Sequence, residues 1–229
     1  MSNWFTNNSI EIFGTITGII YVFLEIRQSS WLWPLGLATS AAYVMIFFRS
    51  KLYADMSLQS YYVVISILGW YWWIKGAGHR AQGSGQRKER QKGRRGEGET
   101  GRLGDWEMEK KKEEHVLKVS RVGIKLALIL FGVFVIIWVA MYVVLSRLTD
   151  SPVPGWDALI TSLSVVGTWM LARKIYEHWY LWIVVNLVSV ILYFTRGLYP
   201  TVILYLVYLT MSFIGLKVWK KSLETEGSY

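Results

Sequence analysis

Apolar residues come in blocks along this chain, not in strict alternation or on one helical face. Seven such blocks cover residues 10–26, 31–48, 57–74, 123–145, 156–171, 179–194 and 199–218. Each is near the ~20 residues that a helix needs to cross a ~30 Å hydrocarbon layer. The stretch from Trp31 to Trp73 sets the plan: two blocks, a short polar hinge at Arg49–Ser57, and a closing aromatic run Gly69-Trp70-Tyr71-Trp72-Trp73. The pattern predicts an all-α integral membrane protein with seven transmembrane helices.

The pattern breaks once. Residues 75–121 hold fourteen of the 25 Lys/Arg and eight of the 16 acidic residues. The first half of this stretch has too little apolar surface to order itself; the second half, 105–119, has helix-forming residues and predicts a charged surface helix. The expected organisation is a first three-helix bundle at 1–75 and a basic flexible loop at 76–121. A connector helix at 122–147, a second three-helix bundle at 156–219 and a tail at 220–229 complete it.

Composition sharpens this. The chain is 53% hydrophobic and carries 13 Trp and 14 Tyr but no cysteine, so disulfides and thiolate metal sites are excluded. Its net charge of +9 resides largely in the loop. Without an aromatic or β-strand platform for bases, a nucleic-acid role is disfavoured; a loop beside anionic lipid fits better. With seven spans, Lys and Arg concentrate on one side, which predicts the N-terminus outside and the C-terminus in the cytoplasm. No cleavable signal pattern is visible.

The two ends of the chain match. Trp33 and Trp182 stand 149 residues apart, as do Gly18 and Gly167, and Ile26 and Ile175. After a three-residue slip the offset becomes 146, pairing Tyr62 with Tyr208, Ser66 with Ser212, Gly69 with Gly215 and Trp73 with Trp219. One span lies between the copies, so both enter the membrane in the same direction. This predicts a 3+1+3 parallel repeat with a site between its halves near mid-membrane.

Polar side chains at mid-depth need a reason to be there. Asn186 lies four residues after Trp182 and shares its helix face, so the pair suits a hydrogen-bonding solute with a flat ring. Gln59, Tyr62 and Ser66 step along one face of the third span, and Tyr205, Tyr208 and Ser212 along the seventh. Tyr21, Thr39, Ser40 and Tyr43 complete a neutral, aromatic, hydrogen-bonding set. Each taken singly also fits helix packing, and Asn186 fits interhelical bonding. Trp31, Trp33, Trp70, Trp72, Trp73, Trp179 and Trp219 read mainly as an interface belt.

Glu25 and Asp55 read as span-end charges that would favour a cationic solute if either lined the path. The three histidines, His79, His115 and His178, fall outside the predicted spans. No phosphate-cradling loop, mid-membrane carboxylate pair or nucleophile cluster is present. This points to facilitated diffusion by a protein that is not an enzyme, with no cofactor, metal or catalytic residue. A scaffold acting through the basic loop is a competing reading.

The strings YAD-x-x-LQ and GWY-x-W within Lys51–Trp73 resemble the PnuC family of bacterial vitamin transporters, nicotinamide riboside branch. Residues 157–193 and 197–215 resemble it too. The resemblance implies a SWEET-like fold, a homotrimer in the lipid of the bacterial inner membrane, and uptake of nicotinamide riboside (vitamin B3) for NAD biosynthesis without ion or ATP coupling. It also implies that Trp182, Asn186 and Gln59 contact the substrate. Related branches carry thiamine or riboflavin, and thiamine is the alternative substrate.

Overall fold

The computed structural model describes residues 9–49, 53–75, 117–149 and 151–226. Among these it has seven α-helices: α1 Ser9–Ile26, α2 Leu32–Arg49, α3 Tyr53–Lys75, α4 Ile124–Leu148, α5 Pro154–Ala172, α6 His178–Thr195 and α7 Tyr199–Glu226. Residues 76–116, holding most of the basic loop and of the surface helix expected at 105–119, lie outside the described residues. The described end of that expected helix, 117–119, is not helical. It leads into Ser120, which forms a parallel bridge with Ile175 through Ser120 N–Lys174 O (3.0 Å) and Tyr176 N–Ser120 O (2.9 Å).

Six helices close a ring in the order α1–α2–α3–α5–α6–α7, with α7 returning to α1; α4 stands outside, packed on α5. Apolarity and burial run opposite to those of a water-soluble bundle. The most apolar helix, α4, has a mean hydropathy of 2.9 and no buried residue, whereas the more polar α5 buries nine of its residues, among them Ser162, Ser164 and Thr168. A surface of Ile, Leu, Phe and Val without a polar face is stable only in an apolar solvent. Four of the helices, α2, α4, α6 and α7, are long and apolar enough to cross a membrane.

The turns α1–α2 and α5–α6 are built alike. Gln28 and Lys174 both take a left-handed conformation, at φ 53° and φ 50°. Gln28 N bonds Glu25 O at 3.0 Å and Lys174 N bonds Leu171 O at 2.9 Å; Ser29 N–Leu24 O and Ile175 N–Met170 O are both 2.9 Å. Trp33 N–Ser30 O and Trp179 N–Tyr176 O follow at 3.2 and 3.3 Å. Each pair differs by 146 residues (174 − 28, 179 − 33), the offset already seen between α3 and α7. This corrects the pairing of Trp33 with Trp182. Identical residue types suggested an offset of 149, but the backbone places Trp179 in the position of Trp33 and Trp182 one turn deeper.

Below the ring, the indoles form a plug rather than a belt. Trp33, Trp179 and Trp219 are 0% exposed and Trp73 is 6% exposed. Their ring centroids are linked at 5.5 Å (Trp33–Trp73), 6.5 Å (Trp73–Trp219) and 5.9 Å (Trp179–Trp219). Two bonds tie the chain's halves across the plug: Trp73 Nε1 donates to Ala172 O (3.2 Å) and Trp219 Nε1 to Glu25 O (3.1 Å). Trp31 and Trp70 alone of the expected belt are well exposed, with Trp72 half-buried.

Candidate substrate cavity

The ring of six helices encloses a cavity of about 330 Å³, within the ~300–1,000 Å³ usual for small-molecule sites. Every ring helix contributes and α4 does not. α1 supplies Thr17, Tyr21 and Glu25; α2 supplies Gly36, Thr39 and Ser40; α3 supplies Tyr62 and Ser66. From the other half come Ser164 and Thr168 of α5, Trp179, Trp182 and Asn186 of α6, and Tyr205, Tyr208 and Ser212 of α7. Helix period explains the choice: Trp182 and Asn186, Tyr62 and Ser66, and Tyr205, Tyr208 and Ser212 each repeat at three or four residues, so each set faces one way.

Ten of the twelve residues singled out from the sequence line the cavity: Tyr21, Thr39, Ser40, Tyr62, Ser66, Trp182, Asn186, Tyr205, Tyr208 and Ser212. Gln59 and Tyr43 do not. Both stand one turn nearer the α2–α3 connection than the other ten; Tyr43 stacks on Phe47 at 5.7 Å. Asn186 Nδ2 donates to Ser212 Oγ at 3.0 Å, and Ser212 Oγ donates to Tyr208 O at 2.8 Å. The amide oxygen of Asn186 takes no part in this bond. Trp182 Nε1 is buried with no partner among the described residues, a donor available to an acceptor within the cavity.

The two halves line the space unequally. At the 146-residue offset Tyr21 corresponds to Gly167, and Gly36 to Trp182. In the first half the ring comes from α1 and lies against a glycine of α2: a Cβ on Gly36 would sit 3.0 Å from Tyr21. In the second half the ring comes from α6 and lies near a glycine of α5, with Trp182 3.8 Å from a Cβ on Gly167. Likewise the Tyr208 hydroxyl lies against Gly18, while the other half carries Ser164 at the position of Gly18.

Two residues read as peripheral from the sequence are central. Glu25 is 2% exposed and lines the cavity; His178 is 0% exposed. His178 Nε2 lies 3.1 Å from Glu25 Oε1 and His178 Nδ1 lies 2.6 Å from Ile175 O. The sequence signal for them is weak, a carboxylate and a histidine at the ends of apolar blocks. Only the ring closure, which brings α1 beside α7 and α6, shows that they meet.

Comparison with known proteins adds the family. The profile of the nicotinamide mononucleotide transporter family matches residues 8–221. The chain belongs to this family. It is 26% identical over 229 residues to the nicotinamide riboside transporter PnuC of Escherichia coli K12, covering 96% of this chain and 88% of that protein. It is 23% identical over 227 residues to the riboflavin/roseoflavin transporter RibM of Streptomyces davaonensis, covering 95% and 92%. The crystal structure of the vitamin B3 transporter PnuC superposes with a TM-score of 0.63 at 22% identity, over 96% of this chain and 84% of that one. That likeness shows the fold, a multi-pass membrane architecture.

Proposed function

We propose that this protein is a facilitator that carries nicotinamide riboside across the bacterial inner membrane, by alternating access and without ion or ATP coupling. The observation that carries this reading is the charge of the cavity. Among the described residues its wall holds Trp, Tyr, Asn, Ser and Thr, one carboxylate, and no Lys, Arg or His. A flat cationic ring gains roughly 0.5–2 kcal/mol against an aromatic face, and ribose hydroxyls and a carboxamide suit Asn186, Thr39 and Ser66. A phosphate would enter without any cation to meet it, so the unphosphorylated riboside fits better than the mononucleotide. The relatives named as nicotinamide riboside transporters agree with this.

The same reading takes the chain as a SWEET-like 3+1+3 parallel repeat about an axis along the membrane normal, all seven helices crossing. The matched turns and the six-helix ring support it. The N-terminus lies outside, the C-terminus inside, and three copies form a homotrimer in the lipid with one path each. Trp182, Asn186, Tyr21, Tyr62, Tyr205, Tyr208, Thr39 and Ser66 are the proposed contacts.

Equilibrium titration of the purified protein with nicotinamide riboside, nicotinamide mononucleotide, thiamine and riboflavin tests this. Tightest binding is expected for the riboside, and a preference for the mononucleotide overturns the charge argument. Another vitamin is the second reading, favoured by the similarity to RibM; tighter binding of riboflavin or thiamine would select it.

A further inference from the structure

We infer that the buried Glu25–His178 pair is the element that reads the positive charge of the solute, making Glu25 a specificity-determining residue of the cavity. The inference rests on the riboside reading above. Four observations carry it.

First, the pair sits at the cavity wall with a fixed polarity. Glu25 is a lining residue and His178 is not, so Glu25 is the member of the pair that meets the cavity. Second, the donor–acceptor logic sets the proton count. His178 Nδ1 is 2.6 Å from the Ile175 carbonyl, which can only accept, so Nδ1 carries hydrogen. The proton on the Nε2–Oε1 line at 3.1 Å then either stays on the imidazole, giving an ion pair, or sits on the carboxyl. In both forms the pair is neutral as a whole, and in the ion pair its negative end faces the solute.

Third, the imidazole is enclosed. Trp179 and Trp219 flank it with centroids at 4.7 Å each, and aromatic rings of this kind suit a cation. Fourth, among the described residues Glu25 is the one charged side chain in the lining, so it alone can meet a cation with a full opposite charge, where the aromatic faces offer only their quadrupole. In the ion-pair form, the carboxylate end of this neutral pair attracts a cation more strongly in a space of low dielectric than it would in water.

The test compares two ligands that share ribose and carboxamide and differ in ring charge: nicotinamide riboside, a cation, and its reduced 1,4-dihydro form, which is neutral. The wild type should bind the cation about tenfold or more tightly than the dihydro form. Glu25→Gln keeps the shape, and its amide can donate to a neutral His178 Nε2, so the fold should be retained. It should lower affinity for the cation by about tenfold while changing that of the dihydro form by less than about threefold. Glu25→Asp, which retains the charge, should retain the preference. Cation–π attraction alone predicts a preference that survives in Glu25→Gln, and that result overturns the inference. A wild-type ratio near one overturns it whatever the variants do, while leaving riboside binding intact. Binding of neither form by the wild type overturns the riboside reading and this inference together.

Discussion

The indole of Trp33 fills the space beside the backbone of Gly69: a Cβ placed on that glycine would lie 2.5 Å from the ring. Trp179 stands against Gly215 in the same way, 146 residues on in both partners. Each ring is fully buried and has another indole at its edge, so it has no room to retreat. Gly69→Ala and Gly215→Ala should each cost about 1–3 kcal/mol through overpacking. Thermal unfolding in one detergent checks this; a wild-type midpoint in either variant would show that the ring can move aside.

Trp73 and Trp219 should matter through their nitrogens as well as their bulk. Replacing Trp73 by Phe strands the buried carbonyl of Ala172, and replacing Trp219 by Phe takes one of two donors from the carbonyl of Glu25, which keeps Gln28 N. A loss of about 1 kcal/mol each is expected. Trp70→Phe, at a ring 40% exposed, should change stability by less than about 0.5 kcal/mol. Unfolding midpoints of the three variants give the comparison.

Asn186 reaches Ser212 with its amide nitrogen and leaves its oxygen for a ligand. Asn186→Ala should weaken riboside binding about tenfold. Ser212→Ala, which removes the neighbour that orients the amide and one hydroxyl of the wall, should weaken it less. Calorimetric titration decides; equal effects would mean that Asn186 acts by joining α6 to α7 and not by touching the solute.

Gly36 keeps the wall of α2 open. A side chain there would meet Tyr21 at 3.0 Å and Ser66 Oγ at 3.2 Å from its first carbon. Gly36→Leu should fill the cavity and reduce affinity by about tenfold or more. A protein that purifies folded and binds the riboside as before would remove this face from the site.

Helices were legible in the sequence because each apolar block is near the length of a membrane crossing, and α4 was legible as the odd one out. Within the site, Tyr62, Ser66, Tyr205 and Tyr208 were legible because helical spacing puts them on a common face. What could not be read was distance between helices. Glu25 and His178 lie 153 positions apart, and nothing local to either announces the other. Trp33, Trp73, Trp179 and Trp219 were misread for the same reason: an aromatic at a span end looks alike in composition whether it meets lipid headgroups or a glycine socket. Matching Trp33 to Trp182 failed because residue identity was followed where backbone geometry, marked by the left-handed Gln28 and Lys174, keeps a constant offset.

Tyr21 and Trp182 reach the interior from helices that do not correspond, each opposite a glycine where the other half carries its ring. Identical walls would let a lopsided guest sit either way round, with two poses of equal energy. Here the phenol and the indole differ in size and hydrogen-bonding reach, so on the proposed reading a molecule with a planar head and a hydroxylated tail would have one seat. On the same reading a carried molecule would then keep head and tail in one order throughout its passage.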